Sequence, residues 1–378
     1  MLGNWAHSVA LPFQVLALGG TPIQLGSVAA TGAAVSVVAI LFGGALVDRL
    51  PRRTVILGSD LACGFAVATI AGLGLSGHLQ IWHLYVEAAF FGAALSLYLP
   101  AMGAIIPELV PDETLLAANA VRGLSRQATR VAGPVLAGFV VAFAGPPVAF
   151  AGDALTFFVS FAALYLAGRP PPATREAGGG LVREVVGGIR FTFSIPWLWI
   201  TIFGFALINA MYFGPLIVVL PLFVRGVLHA DARVFGLITA GLGAGEVAGS
   251  FLVTQLPRRR AGPVMYLAEV VAMLGLAGLG LTTRLPLILA CCLVSGAGLT
   301  TFQVLWESSL QRHVPRHLLG RVTAVDYFGA LLLGPVAPLA YGLLVQSHAP
   351  GQLFLLSGLA AACLCLLALL VPAIRRLD

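Results

Sequence analysis

The chain is a succession of long apolar runs separated by short polar breaks. Roughly 20 apolar residues in a helix span the hydrocarbon core of a bilayer, which is about 30 Å thick. Lipid offers no partner to an exposed backbone N–H or C=O group, so runs of this length form helices. The sequence therefore predicts an all-α membrane protein with twelve transmembrane helices. The runs lie at 4–18, 24–47, 54–76, 80–102, 120–143, 147–167, 197–222, 232–254, 263–283, 286–306, 323–346 and 351–372.

The low charge content favours the same environment. Charged residues make up 10% of the chain, hydrophobic residues make up 59%, and the mean hydropathy is +0.98. A soluble domain would carry about 25% charged residues. The net charge is +6, but the basic residues stand in short groups between the apolar runs, so they indicate orientation in a membrane rather than nucleic-acid binding. We expect a protein in contact with a lipid bilayer and with no nucleic-acid partner.

A segment rich in proline and glycine divides the runs into two groups of six. Neither Pro170–Pro172 nor Gly178–Gly180 can continue a helix. Helical periodicity returns at 181–193 with charged residues on it, which is typical of a short amphipathic helix on a membrane surface. The predicted domains are an N-terminal six-helix bundle at 1–167, a cytoplasmic linker with this helix at 168–194, and a C-terminal six-helix bundle at 195–378.

The two groups of runs repeat one another. The motif LPRR begins at Leu50 and again at Leu256, and a Gly-Pro-Val motif begins at Gly133 and again at Gly334. Both pairs are separated by nearly the same number of residues, and chance would not keep one spacing across several features. The pattern predicts a duplicated six-helix unit.

Arginine placement predicts the orientation of the spans. Both LPRR motifs, the linker and the C-terminus fall on one side, whereas the opposite loops hold only Arg225, Arg233 and Arg284. Loops rich in arginine stay in the cytoplasm, and an even number of spans places both termini there. All 21 basic residues are arginine, which together with the alanine and glycine content indicates a GC-rich bacterial genome. The expected location is the inner (plasma) membrane of a bacterium, crossed several times.

The loop after the second run carries a recognisable motif, GALVDRLPRR. It resembles the signature loop of the major facilitator superfamily, Gly-x3-Asp-Arg/Lys-x-Gly-Arg-Arg/Lys, with Pro51 in place of the usual glycine. The segment IPELVPDETLLAANAVRGLSRQATRVAGPVLAG is similar to the exporter branch that holds macrolide-efflux and enterobactin-exporter proteins. The resemblance implies two bundles that expose a central site alternately to each side. The residues that match the signature, expected to form a gating loop, are Gly44, Asp48, Arg49, Arg52 and Arg53.

The resemblance also implies a latch on the inner side of the membrane. Asp48 is expected near the N-terminus of the eleventh run, around 322–326, where its charge suits the positive end of the helix dipole. The loop arginines are expected to pair with inner-side acids such as Asp60 and Asp326. The second LPRR copy has Gln255 in place of the acid, so the first copy alone would form the latch.

The fifth run matches part of the family's antiporter signature. Gly133, Pro134 and Gly138 fit it, and we assign them to helix packing because small residues let membrane helices approach closely. Thr129 stands where the signature usually has a glycine. The motif therefore favours an antiporter only in part.

Ionisable side chains within the runs are candidate sites, because each costs about 2.5–3.5 kcal/mol at mid-span on insertion scales. The resemblance implies that runs 1, 4, 7 and 10 line a central cavity, with runs 2, 5, 8 and 11 beside them. Glu87 and Glu246 are candidates to bind a proton or a cationic substrate. The alternative is a structural ion pair or a carboxyl group kept neutral by burial. We interpret Asp153, in the sixth run, as structural.

Further polar residues are candidates for the same cavity. Arg126 and Arg130 share one helix face with Arg122, because they recur every four residues. They form either a relay that pairs with Glu87 or an anionic substrate, or an anchor at the inner membrane edge. Helix packing or an interfacial position is the alternative for the remaining candidates, which are Asn4, Asn209, Gln303 and Glu307.

No motif indicates catalysis. The chain has no Walker loop and no arrangement of a nucleophile with histidine and acid, and Pro315 separates His313 from His317, which prevents a metal pair on one helix face. We expect a monomeric transporter rather than an enzyme, with no cofactor and no metal. The leading hypothesis is secondary active, proton-coupled efflux of a small organic molecule, such as a drug, siderophore or secondary metabolite. The alternatives are an importer or facilitator on the same fold and a non-transporting membrane partner protein.

Overall fold

The computed structural model describes residues 2–167, 181–256 and 261–377, and within these ranges every regular element is helical. The described residues form two compact units. The first consists of described residues from 1–177 together with Ala230–Gly236. The second consists of described residues from 178–229 and 237–378. The helices of the first unit are α1 (Leu2–Ala17), α2 (Pro22–Arg49), α3 (Arg52–Leu75), α4 (Ile81–Leu109), α5 (Asp112–Ala144) and α6 (Pro146–Leu166).

The remaining helices include one long rod with a local change of winding. A π-helical segment, Pro215–Val219, joins α8 to α9. Pro215 and Pro221 lack a backbone N–H group, so the ordinary α-helical ladder is interrupted there and the backbone takes a wider turn. The helices are α7 (Leu181–Ser194), α8 (Pro196–Gly214), α9 (Leu220–Gly226), α10 (Ala232–Leu252), α11 (Ala261–Leu279), α12 (Leu285–His313), α13 (Arg316–Leu331), α14 (Val336–Leu344), α15 (Pro350–Ala368) and α16 (Pro372–Arg375).

Ten segments of the described chain are long and apolar enough to cross a membrane. Two of the twelve predicted runs are not among them. The first run corresponds to α1, which has 16 residues. The fourth corresponds to α4, in which several side chains lie outside the described residues. The structure thus supports an integral membrane protein made of helices.

Several helices continue beyond the apolar runs that predicted them. Helix α5 begins at Asp112 and α12 ends at His313, several residues outside the predicted spans. The hydrogen bonds of a helix are internal, so the helix persists when its side chains leave the hydrocarbon for the polar interface. The eleventh run differs in the opposite way, because α13 stops at Leu331 and α14 starts at Val336, on either side of Gly334-Pro335.

In the first unit, α3 packs along α4 and α6, α2 packs along α4, and α1 packs against α5 and α6. Val55 and Ile56 of α3 form an apolar core with Ala101 and Ile105 of α4. Helices α2 and α4 touch at backbone level, because a Cβ atom on Gly92 would collide with the carbonyl oxygen of Gly32. These contacts fix α4 between two neighbours and so fix the position of its Glu87.

In the second unit, α11 packs along α12 and α15, and α8 packs against α13 and α15. Helix α7 packs on α13, where Gly188 lies against Arg321. The sequence analysis assigned the residues of α7 to the linker, whereas the structure groups this helix with the second unit. Residues 168–180 of the predicted linker lie outside the described residues.

Candidate functional site

Three ionisable side chains meet inside the first unit. His7 of α1, Glu87 of α4 and Asp153 of α6 are buried, with 7%, 2% and 0% of their surface exposed. The His7 Nδ1 atom lies 3.5 Å from Glu87 Oε1 and 3.8 Å from Asp153 Oδ2. Their packing on three adjacent helices brings together residues that are far apart in the chain. We call these three side chains the His7 cluster.

The His7 cluster is enclosed by apolar and small groups. The imidazole ring stacks on Phe91, with ring centroids 4.1 Å apart, and meets the edge of Phe150 at 5.7 Å. Gly3 allows α1 to approach the Asp153 carboxyl group, because a Cβ atom there would collide with it. On the remaining side, Cys63 of α3 is close enough to interact electrostatically with both carboxyl groups. The enclosure leaves little room for solvent to screen the charges.

The polar atoms of the His7 cluster are not fully satisfied. His7 Nδ1 and all four carboxyl oxygens of Glu87 and Asp153 are buried without a hydrogen-bond partner among the described residues. Two ionised carboxylates in such a place would repel each other and would have lost their hydration. A bound proton or cation would remove both penalties. The geometry therefore gives the cluster the chemistry of a proton acceptor in the interior of the first unit.

The second unit contains a cavity of about 460 Å³. Its walls come from α8, α12 and α13. Three of the sequence candidates, Asn209, Gln303 and Glu307, line it together with Asp326. Among the described residues, the lining consists of Thr201, Ile202, Phe205, Asn209, Phe213, Leu299, Phe302, Gln303, Trp306, Glu307, Leu310, Gln311, Leu319, Thr323, Asp326, Tyr327 and Ala330. We call it the α8–α12–α13 cavity.

One wall of this cavity is aromatic and one is acidic. Phe205 stacks on Phe302 with ring centroids 4.0 Å apart, and the Phe302 ring lies nearly parallel to that of Trp306 at 6.4 Å. Trp306 Nε1 donates a hydrogen bond to Asp326 Oδ2 at 3.1 Å. Glu307 is close enough to Asp326 for the two side chains to interact electrostatically. The cavity thus combines flat apolar surfaces with two carboxyl groups.

The structure places the other predicted cavity residues elsewhere. Asn4 is half-buried on α1, Arg126 is exposed on α5, and Arg130 is half-buried on α5. The ionisable side chain beside Glu87 is His7, and the arginine relay to Glu87 remains a prediction from the sequence. Glu246 is half-buried on α10, where its backbone carbonyl accepts a hydrogen bond from Ser250 Oγ.

The predicted inner-side latch is only partly described. The surroundings of Gly44 and the side chains of Asp48 and Arg49 lie outside the described part of the structure. Arg52 is half-buried at the start of α3, and Arg53 donates from its guanidinium group to the backbone carbonyl of Tyr165 at 3.0 Å.

The two acids expected to pair with the loop arginines have other partners. Asp60, which is 1% exposed, accepts a hydrogen bond from Ser160 Oγ at 2.7 Å. Asp326 accepts its hydrogen bond from Trp306 inside the α8–α12–α13 cavity. Both carboxyl groups therefore take part in contacts between helices, and the sequence motif of the loop did not predict these contacts.

The matched residues of the antiporter signature lie at close helix contacts. Gly133 is buried against Trp5 of α1, with room for no Cβ atom. Gly138 is buried against the backbone of Ala232, which belongs to the same unit. Pro134 lies one residue after Gly133 and is also buried. Each contact brings a neighbouring element within backbone reach of α5.

Part of the His7 cluster was not predicted from the sequence. His7 was not among the candidates, and Asp153 was interpreted as structural. The available signal was that each is the sole histidine or charged residue of its helix, α1 and α6 respectively. A lone ionisable group in an apolar helix needs a partner from another helix, so the two residues point to a shared site.

Comparison with protein families gives one match over most of the chain. The family described as Major Facilitator Superfamily matches residues 1–338. The multidrug efflux pump Tap of Mycobacterium tuberculosis (strain ATCC 25618 / H37Rv) is 27% identical over 394 residues, which cover 100% of this chain and 91% of that pump. The enterobactin exporter EntS of Citrobacter koseri is 29% identical over 343 residues, covering 86% of this chain and 80% of the exporter.

Solved structures of transporters have the same fold. The nucleoside transporter NupG superposes with a TM-score of 0.73 at 12% identity, covering 98% of this chain and 97% of that one. A bacterial homologue of the iron transporter ferroportin, in an inward-facing state, also gives 0.73 at 18% identity, covering 97% and 95%. At these identities the likeness concerns the fold alone.

Proposed function

The chain belongs to the Major Facilitator Superfamily and is an integral membrane transporter rather than an enzyme, and from this premise we propose that it exports small organic molecules in exchange for protons. The relatives Tap and EntS support export, since both are efflux proteins by name. We propose twelve spans in two six-helix bundles, at 1–167 and 195–378, with a cytoplasmic linker at 168–194. Both termini would lie in the cytoplasm, and the membrane would be the inner membrane of a bacterium.

The His7 cluster is the observation that supports proton coupling. In this cluster the imidazole Nδ1 atom lies within 4 Å of an oxygen of each carboxyl group, and all three side chains are buried. The three helices that carry them would move together in the proposed cycle, as parts of one bundle. Proton binding neutralises a buried charge and thereby changes the stability of the conformation in which the cluster is closed. A proton can drive transport only by this kind of differential binding to two states.

The proposal has a direct test in inside-out vesicles that carry the full chain. A pH gradient, acidic inside, should drive accumulation of a transported probe, with ethidium and enterobactin as representatives of cationic and anionic substrates. Glu87→Gln should reduce gradient-driven accumulation by roughly tenfold or more, because typical coupling energies between linked sites correspond to about 5–150-fold effects. Downhill movement of the same probe should continue, since the fold and substrate site are unchanged.

Glu113→Gln is the matched control, because Glu113 is an exposed acid on α5. Glu246→Gln tests the other sequence candidate in the same assay. If Glu87→Gln accumulates the probe as wild type does, the His7 cluster does not carry the coupling proton. Accumulation in right-side-out rather than inside-out vesicles would instead identify an importer, and no movement of either probe with or without a gradient would contradict transport of these substrate types.

A further inference from the structure

The α8–α12–α13 cavity has the size of a small-molecule site. Its volume of about 460 Å³ lies within the range of about 300–1,000 Å³ found for ligand pockets. Its walls are contributed by helices packed on one another within the second unit. A drug-sized organic molecule therefore fits between these helices as they stand.

The aromatic wall favours flat or bulky apolar ligands. Phe205, Phe302 and Trp306 form a continuous stack, and the Trp197 ring supports Trp306 edge-on from behind at 5.8 Å. Tyr327, which is 64% exposed, also lines the cavity. Aromatic faces carry partial negative charge and attract cations as well as other rings. The wall is therefore better suited to an aromatic or cationic ligand than to an anion.

The charges of the cavity agree with this preference. Asp326 and Glu307 line it, whereas arginine, lysine and histidine are absent from the described residues of its lining. An anionic ligand would meet two carboxyl groups without a cationic partner, and like charges at such distances repel. A cation would meet two acceptors, the half-buried Asp326 and the exposed Glu307.

Asp326 is held in position for this role. The indole N–H group of Trp306 occupies one acceptor position of its carboxyl group. An ionised carboxylate has about four such positions, so capacity remains for a ligand. Gln303, which donates to Glu307 Oε1 at 3.4 Å, orients the second acid in a similar way. The two carboxyl groups are thus tethered by donors on α12, and the bound ligand need not order them.

From these contacts we propose that the α8–α12–α13 cavity is the substrate site and that it selects organic cations with aromatic or bulky apolar bodies over organic anions. This inference rests on the proposed transport function, because it identifies the class of molecule that is exported. It makes a siderophore of the anionic, catecholate type a poor substrate. It leaves the assignment of the coupling proton to the His7 cluster, in the other unit.

The test is equilibrium binding of radiolabelled tetraphenylphosphonium to the purified full chain in detergent. Tetraphenylborate is a competitor of nearly the same shape and opposite charge. We expect saturable tetraphenylphosphonium binding that tetraphenylborate does not displace. Asp326→Asn should weaken binding by at least about tenfold, as expected when one member of a poorly solvated charge pair is removed. Glu307→Gln should weaken it less, because Glu307 is exposed.

Further variants separate recognition from misfolding. Asp326→Glu keeps the charge and should retain most of the binding. Trp306→Phe keeps the aromatic face and removes the N–H donor, so it should give an intermediate loss. Asp231→Asn is the matched control, because Asp231 lies in a loop of the other unit, in an exposed ion pair with Arg233 at 2.7 Å. The control should bind as wild type does.

The inference is overturned if tetraphenylborate binds as tightly as tetraphenylphosphonium, if neither ion binds, or if Asp326→Asn leaves binding unchanged. Its failure differs from that of the proposed function, because binding in detergent involves no proton gradient. Gradient-driven export of enterobactin without tetraphenylphosphonium binding would contradict the cation site alone. Normal tetraphenylphosphonium binding without gradient-driven export would contradict proton coupling alone.

Discussion

At the scale of single residues, hydrogen bonding distinguishes Asp153 from Asp60, since the carboxyl groups of both are buried. A structural acid in a membrane helix is normally held by hydrogen bonds, as Asp60 is by Ser160. Asp153 has 0% exposure and no hydrogen bond to either carboxyl oxygen, and His7 Nδ1 lies 3.8 Å from its Oδ2 atom. An ionised acid under these conditions lowers the stability of the fold, which supports the proposed role of Asp153 in proton coupling.

We expect Asp153→Asn to uncouple transport without harming the fold. The amide keeps the shape of the side chain and removes a buried group that is costly to ionise. The melting temperature of the purified protein should stay constant or rise, whereas gradient-driven accumulation in inside-out vesicles should fall by roughly tenfold or more. Both quantities are measured on the same preparation, by a thermal-shift assay and by probe uptake.

Asp231→Asn provides the comparison for Asp153→Asn. Hydrogen bonds from Arg233 hold the pKa of the exposed Asp231 below its usual range, and exposed pairs of this kind contribute little to stability. This variant should therefore change neither quantity. A lower melting temperature together with normal accumulation in Asp153→Asn would restore the structural interpretation that the sequence alone favoured.

At the scale of helices, small residues decide how closely the elements approach. The α2–α4 contact is the clearest case, because Gly92 lies against the carbonyl oxygen of Gly32 and Ser36 Oγ donates to the carbonyl of Gly92 at 3.0 Å. Backbone atoms cannot move aside as the end of a side chain can. An added methyl group therefore has to separate the two helices.

We expect Gly92→Ala to destabilise the protein by about 1–3 kcal/mol, the usual result of overpacking a close contact. Gly72→Ala, on α3, is the matched control, because no atom lies within 4 Å of a Cβ placed there. Alanine is the better helix former by up to about 1 kcal/mol, so the control should be neutral or stabilising. Thermal unfolding in detergent measures both variants. Equal melting temperatures for the two would show that the α2–α4 contact tolerates separation.

The apolar runs predicted that helices exist more accurately than they predicted where each helix begins and ends. Hydropathy marks where a helix lies in lipid, but α5 and α12 extend beyond that zone through internal hydrogen bonds. The interruption between α13 and α14 follows from Gly334-Pro335, which is visible in the sequence. A proline inside a membrane helix is often tolerated, however. The break became evident only from the packed helices.

At the scale of the whole molecule, the proposed transport cycle requires two states. The family resemblance implies that Asp48 latches the inner side, near residues 322–326, which belong to α13. Its side chain lies outside the described residues, so this role remains a prediction from the sequence. Loss of the charge would remove its favourable interaction with the helix dipole, which is typically about 0.3–1 kcal/mol at an exposed site.

We expect Asp48→Asn to shift the resting population toward the inward-facing state. A single reporter, Gln311→Cys in the wall of the α8–α12–α13 cavity, is introduced after replacement of the 5 native cysteines. A membrane-impermeant maleimide should then label inside-out vesicles of the Asp48→Asn variant faster, by about 2–5-fold for this energy. Glu113→Gln serves as the control for an acid on the same predicted side. Unchanged labelling in Asp48→Asn would remove the latch from the mechanism.

The sequence by itself determined that this chain is a helical membrane protein of the transporter type. Length and hydropathy are local properties, and each apolar run reports its own transfer from water to lipid without reference to its neighbours. The signature loop and the repeat then narrowed the class of membrane protein to the major facilitator type. The same reasoning identified Asn209, Gln303 and Glu307 as candidates, because polar residues in apolar runs are conspicuous.

Only the tertiary structure decided which of those polar residues meet. It joined Glu87 and Asp153 to His7, and it placed Asp326 beside Trp306 in a cavity wall. Such contacts depend on the rotation and separation of helices that are distant in the chain. Small residues at the helix contacts determine both the rotation and the separation of the helices. The hydropathy of each run depends very little on these small residues. For this physical reason the sequence predicted the membrane helices, whereas the contacts between the polar residues of the candidate sites are known only from the packed helices.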